Sequence, residues 1–199
     1  MRSGGFVRLD ARDLDVHEEY EKAFYDAFSR VPSNRLVRQL WLWDDEGRRL
    51  RIRLAYEDHA IWVSRRASGE LHFAIAAHQD PSRAQSAAYG FEIPREPGIF
   101  EVLTFFNSGP TDIAEMRSFW RSFLAHMREA GLTRGYATCA ARLLLLYKRA
   151  GWEVAAETEI AGEARYLLTL RLDSGTVSKA MSKHKYGVEF GEGDRCVSG

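Results

Sequence analysis

The chain has 199 residues, 45% of them apolar and 28% charged, the proportions of a soluble globular protein with one good core. Lysine plus arginine (28) balance aspartate plus glutamate (28), so the formal net charge is zero. This excludes nucleic-acid or membrane-surface binding driven by bulk basic charge, and leaves small molecules or proteins as ligands.

The N-terminal stretch MRSGGFVRLDARDLD has no apolar segment of the kind a signal peptide carries, so none is expected. Residues 13–29, DLDVHEEYEKAFYDAFS, begin with capping residues and repeat Tyr20, Phe24 and Phe28 at helical spacing. Pro32 and Ser33 break this helix. SNRLVRQLWLW at 33–43 reads as a second helix, with Leu36, Val37, Leu40 and Trp41 on one face. DDEG at 44–47 is a turn. The period then falls to two. RRLRIRLAY at 48–56 alternates Leu50, Ile52 and Leu54 with arginines, as a short strand or arm does. AIWVSRR (60–66) and ELHFAIAAH (70–78) flank ASG and predict a hairpin. QSAAYGFEI (85–93) and GIFEVLTFF (98–106) read as two more strands around PREPG, completing an antiparallel meander.

TDIAEMRSFWRSFLAHMREA at 111–130 is the clearest helix, with Ile113, Met116, Trp120, Phe123 and Met127 on one face. Asp112 and Glu115 are spaced for a capping box, and Gly131 ends the helix. TRGYATCA (133–140) is a buried strand, followed by a helix at 141–150. WEVAAETEI (152–160) and ARYLLTLRL (164–172) close the pattern. This gives one domain over 1–173, and a polar, Gly-rich, aperiodic tail over 174–199 that is expected to be flexible. No apolar run approaches the roughly 18–20 residues of a membrane span. Cys139 and Cys196 lie far apart, with no CxxC spacing or Cys/His cluster. No metal site or disulfide framework is expected, and the expected compartment is a reducing cytoplasm.

The stretch LYKRAGWEV at 146–154 resembles the Leu-Tyr-x-x-x-Gly-Phe ending of the fourth helix in the GCN5-related N-acetyltransferase superfamily, with Trp152 in place of the phenylalanine. That superfamily includes acyl-homoserine-lactone synthases, and the order of elements is similar over roughly residues 13–172. The resemblance implies an α/β (α+β) fold: a mixed, mostly antiparallel sheet with helices on both faces, whose fourth and fifth strands (98–106 and 133–140) run parallel and splay. It implies acyl transfer from a thioester, acyl-CoA or an acylated carrier protein, to the amine of a small molecule. No metal is implied. Partners would be that amine, an acyl carrier protein and a second copy in a homodimer, with no nucleic acid.

Within the resemblance, Tyr147 is the expected general acid for the departing thiolate, since a phenol with a pKa near 10 holds its proton at neutral pH. Glu101 is the expected base for the incoming ammonium, and Glu92 the second choice. Alternation places Glu101, Leu103 and Phe105 on one face, with Glu101 among apolar groups. The donor-binding set is Phe105, Phe106, Asn107, Ser108, Gly109, Thr111 and Arg117. The sequence departs from the family at this point. FFNSGPTDIAEMR at 105–117 retains only Gly109 of the phosphate loop, Pro110 lacks an N–H, and Asp112 puts a carboxylate at the helix start. Three readings follow: the donor comes on a carrier protein, coenzyme A binds through what remains, or the fold is kept without catalysis. Arg35 and Arg38 would meet a phosphate or an acceptor carboxylate, or form a solvated basic face. Cys139 is a small core residue before it is a nucleophile. His72 and His78 share strand parity and read as structural.

Overall fold

The computed structural model describes residues 6–31 and 35–172, so Pro32, Ser33, Cys196 and the 174–199 segment lie outside the described residues. The chain builds β1 (Val7–Arg8), α1 (Leu14–Ser29) and α2 (Arg35–Leu40), then β2 (Leu42–Asp44) and β3 (Arg49–Arg51) as a separate two-stranded hairpin. The main sheet adds β4 (Ala60–Arg65), β5 (Leu71–His78) and β6 (Ile99–Asn107). It continues through α3 (Ile113–Glu129), β7 (Arg134–Ala140), α4 (Ala141–Arg149), β8 (Glu153–Ile160) and β9 (Glu163–Arg171). Its strand order is β1-β4-β5-β6-β7-β9-β8, antiparallel except for the central pair β6–β7.

Both faces are covered, as the apolar stripes of the helices require. Phe119, Trp120, Phe123 and Met127 of α3 pack on Phe73, Ile75, Phe100, Val102 and Leu168. On the opposite face, Tyr20 and Phe24 of α1 pack on Leu50, Ile61, Val63, Ala74 and Phe106. Tyr89, Phe91 and Ile93 cover Ile99, Tyr136 and Leu167 on that same face.

The parallel pair is short. Its register runs from Ile99↔Arg134 to Val102↔Ala137 and stops. Beyond it, β6 pairs only with β5 and β7 only with β9, so the two central strands part. Within the paired stretch, the Phe100 ring lies against Gly135, where a Cβ would sit 2.6 Å from it. Only glycine allows that approach. Just after the split, β6 carries a bulge. Ala77 pairs with Val102 and Ala76 with Thr104, leaving Leu103 as the extra residue. The Leu103 carbonyl accepts a hydrogen bond from Gln85 Nε2 at 3.2 Å, and Gln85 Oε1 accepts one from Trp41 Nε1 at 2.7 Å.

The structure corrects several expectations. Residues 85–93 are not a strand: Gln85–Tyr89 form a 3-10 turn ended by Gly90 at φ 78. Their apolar alternation serves a segment lying on the sheet face, pinned by Glu101. The second helix stops at Leu40, because Leu42–Asp44 pairs with Arg49–Arg51. Two-residue β1 was not foreseen, since so short a stretch shows no period. Asp112 does cap α3, accepting from the Ala114 N–H at 2.9 Å, but Glu115 returns no bond. It lies 3.9 Å from His72 instead. The sequence reads Leu143, Leu144 and Leu146 as the residues that dock α4 on the sheet. Leu143 (37%), Leu145 (58%) and Leu146 (43%) are exposed, and only Leu144 packs beside Tyr147 and Ala150.

Candidate active site

The point where β6 and β7 part joins two faces of different character. On the α3/α4 face stands Tyr147, in the last turn of α4. Gly151, at φ 89, ends the helix, and the Trp152 N–H closes back on the Tyr147 carbonyl at 3.1 Å. The Tyr147 ring meets Trp152 edge-on at 5.8 Å and Trp120 at 6.5 Å. Burial, with Cys139 close by, pushes its phenol well above the ordinary value. Such a phenol holds its proton. Cys139 sits below it on β7, free and buried, its thiol pushed up to about 11 by burial. It is a protonated core residue rather than a nucleophile.

On the other face stands Glu101, only 4% exposed. Its surroundings are polar, contrary to expectation. Oε1 accepts from the Ser86 N–H at 2.8 Å, and Oε2 from the Gln85 N–H at 2.7 Å. His78 Nε2 lies 2.9 Å from the same Oε2. The Leu103 bulge also corrects the face assignment. Glu101 faces the 85–89 turn, whereas Phe105 faces α3, packed on Phe119 and Trp120. Glu92, the second choice, is exposed.

A row of buried histidines leads away from Glu101. The register Ala60↔Ala77 puts His59 across from His78, and His17 of α1 stacks on Tyr56 at 3.7 Å nearby. His72 does not join them. It sits where the β4–β5 register shifts and reaches toward Glu115, so the expected common face of His72 and His78 is not formed. His59 is held below its ordinary 6.5, first by burial, then against the Ala55 hydrogen bond, with His78 and His17 adding repulsion. A depressed folded-state value means stability that is complete above pH 6.5 and is lost as pH falls below it. Urea midpoints measured on both sides of pH 6.5 should therefore drop more steeply in the native protein than in a His59→Gln variant. Equal slopes would remove His59 from the acid response.

The donor-binding set gathers only in part. Asn107, Ser108, Gly109 and Thr111 share the turn before α3, but their polar groups are largely engaged. The Ser108 N–H bonds the His72 carbonyl at 2.8 Å, and its hydroxyl bonds the Leu71 carbonyl. Asn107 Nδ2 donates to the Gly109 carbonyl at 2.8 Å and to Thr111 Oγ1 at 2.5 Å. Arg66, unforeseen from sequence, holds the Ser108 and Pro110 carbonyls at 2.8 Å each. Arg117 is half-buried on α3. Phe106 is a buried partner of Phe24, stacked at 5.2 Å. Arg38 pairs with Asp45 at 2.8 Å and lies 4.3 Å over Trp43, while the Arg35 side chain lies outside the described residues. Among the described residues, no three His, Cys, Asp or Glu side chains gather to hold a metal, and no helix is long and apolar enough to cross a membrane. Two hollows of about 380 and 390 Å³ lie elsewhere, one at Trp43 and Arg49, the other at His17 and His59.

No protein-family model matches the sequence, and no curated protein is similar to it. Solved structures are similar in shape. The CoA-dependent acyl-homoserine lactone synthase BjaI, solved with SAM and isopentyl-CoA, is 14% identical with a TM-score of 0.70, over 89% of this chain and 87% of its own. The acyl-homoserine lactone synthase LasI gives 14% and 0.70, over 89% and 95%. A protein from Desulfovibrio desulfuricans assigned to the GNAT acetyltransferases gives 12% and 0.54, over 85% and 99%. The chain has the GCN5-related N-acetyltransferase fold. Within this fold, the missed residues are those that long-range contacts define. Gln85, Arg66, Tyr89 and Arg165 carry no local motif.

Proposed function

We propose that the protein transfers an acyl group from a phosphopantetheine thioester to the amine of a small molecule. The observation that carries this reading is the early parting of β6 and β7 at Val102 and Ala137, with a proton-holding phenol on one face and Glu101–His78 on the other. Two of the similar structures support it, being lactone synthases, one solved with an acyl-CoA and SAM.

The chemistry follows from the two faces. The free amine attacks the thioester carbonyl, forming the C–N bond as the C–S bond breaks. The ammonium proton passes to Glu101, directly or through water, and His78 stabilises the carboxylate that receives it. Tyr147 gives its proton to the departing sulfur and recovers one from solvent. The engaged groups of the Ser108–Thr111 turn favour a donor presented on an acyl carrier protein over one gripped by its pyrophosphate. Free coenzyme A thioesters remain the alternative, through the Gly109 and Thr111 N–H groups and Arg117. With a free thiol at Cys139, the cytoplasm is the proposed compartment.

A second reading draws on the exposed leucines of α4: a non-catalytic module that binds another protein through them. One experiment separates the two. Thermal stability is measured with acetyl-CoA, a long-chain acyl-CoA, free CoA and acylated carrier protein, and thiol release is followed with a panel of amines. A ligand at about a hundredfold over its Kd adds roughly 2.7 kcal/mol. Stabilisation with thiol release supports transfer. Stabilisation without release by any amine favours the binding module. Absence of both with every donor overturns acyl transfer.

A further inference from the structure

In the transfer, the thioester carbonyl sits where β6 and β7 part, with its sulfur toward Tyr147 and the amine arriving from the Glu101 face. The acyl chain leaves the same carbon. What lies beneath the split therefore sets how long that chain can be.

On the α3 side, the rim of the split is formed by Phe105 and Tyr147, both half-buried. Phe105 reaches this side only because the extra residue at Leu103 reverses the alternation of β6. Behind the rim the space is filled. Val102 and Ala137, the last paired residues, are buried and close the bottom of the split. Trp120 of α3 is 7% exposed, and its ring centre lies 4.9 Å from Phe105, 6.5 Å from Tyr147 and 6.1 Å from Trp152. Ring centres about 4.5–7 Å apart belong to rings in contact. Phe123 meets the same indole edge-on at 5.8 Å, so Trp120 is held from several sides.

A packed core takes extra methylenes only by displacing side chains. A long acyl chain entering the α3 side would have to move the indole, and the indole has no free space to move into. A chain turned to the other face meets the place of the amine. A chain turned out of the split leaves its apolar surface in water.

We infer that Trp120, backed by Phe105, limits the length of the acyl group, so that the donor is a short-chain acyl thioester, acetyl to butanoyl in size, and long fatty chains are excluded. This limit rests on the acyl-transfer reading, whose donor it narrows. Coenzyme A and an acyl carrier protein are each loaded with acetyl, butanoyl, octanoyl and dodecanoyl groups, and thiol release is followed with a panel of amines. A methylene that finds no space costs roughly tenfold or more in kcat/KM. Octanoyl donors should therefore be used at least about a hundredfold less efficiently than acetyl donors. Trp120→Leu removes the blocking ring and should raise the octanoyl-to-acetyl ratio about tenfold or more. A loss of stability alone lowers all donors together and leaves that ratio where it was. Octanoyl or dodecanoyl donors used as well as acetyl by the native protein would overturn the limit, whether or not the variant folds. An unchanged ratio in a folded Trp120→Leu variant would take the limit away from Trp120.

A second readout needs no turnover. The S-ethyl and S-octyl thioethers of the same two carriers hold the chain but cannot transfer it, and calorimetric titration follows their binding. The ethyl form should bind the native protein more tightly than the octyl form, and Trp120→Leu should narrow the difference. Octyl binding as tight as ethyl, or binding of neither, would overturn the limit. Tighter ethyl binding with no thiol release from any donor keeps the limit and removes the transfer reading. Thiol release from every chain length alike keeps the transfer reading and removes the limit.

Discussion

Replacing Tyr147 with phenylalanine should lower turnover about a hundredfold or more, the usual contribution of a positioned general acid. The fold should hardly notice. The ring keeps its edge-on contacts with Trp120 and Trp152, and the hydroxyl makes no side-chain hydrogen bond among the described residues that its loss would break. Melting temperature should therefore stay close to that of the native protein while kcat falls. The pH profile sharpens the test. Burial raises the phenol above its ordinary value of 10, so it remains protonated across the neutral range and should not itself limit the rate there. Unchanged kcat in the variant, measured with a substrate pair the native enzyme turns over, would end the acid assignment.

Glu101→Ala should cost on the order of 3 kcal/mol or more of stability. The substitution removes the acceptor of the Gln85 and Ser86 N–H groups and the partner of His78, in a site only 4% exposed. Each buried donor left alone costs about 1–3 kcal/mol. The 85–89 turn would lose its hold on the sheet, and with it Gln85, which caps the Leu103 carbonyl at the bulge. Glu101→Gln separates the two roles. An amide still accepts through its oxygen but turns donors toward at least one N–H, so it should cost less stability than alanine. It cannot serve as the base, and thiol release should fall as far as in the alanine variant. A glutamine variant with near-native turnover would make Glu101 a structural clamp only. Urea midpoints and thiol release on the two variants supply both readings.

The amino-acid pattern by itself determined the elements whose periodicity is strong. The Tyr20–Phe24–Phe28 stripe, the Met116–Trp120–Phe123–Met127 stripe and the alternating strands 60–65, 71–78 and 99–107 lie where the sequence puts them, within a residue or two at their ends. The LYKRAGWEV ending stops its helix at Gly151, whose φ is 89.

Tertiary structure decided the rest, because the deciding contacts span long stretches of chain. One extra residue at Leu103 reverses the alternation of β6 and moves Phe105 to the α3 face, a slip that no single-strand pattern announces. Four consecutive leucines in α4 point around the whole helix, so the sequence cannot say which of them docks, and the sheet takes only Leu144. Residues 85–93 alternate like a strand, yet their N–H groups find a carboxylate from β6 instead of a neighbouring ladder. Periodicity reports which side of an element is apolar. It does not report which buried polar group meets which, and the partners of Glu101 exist only once the strands are in register.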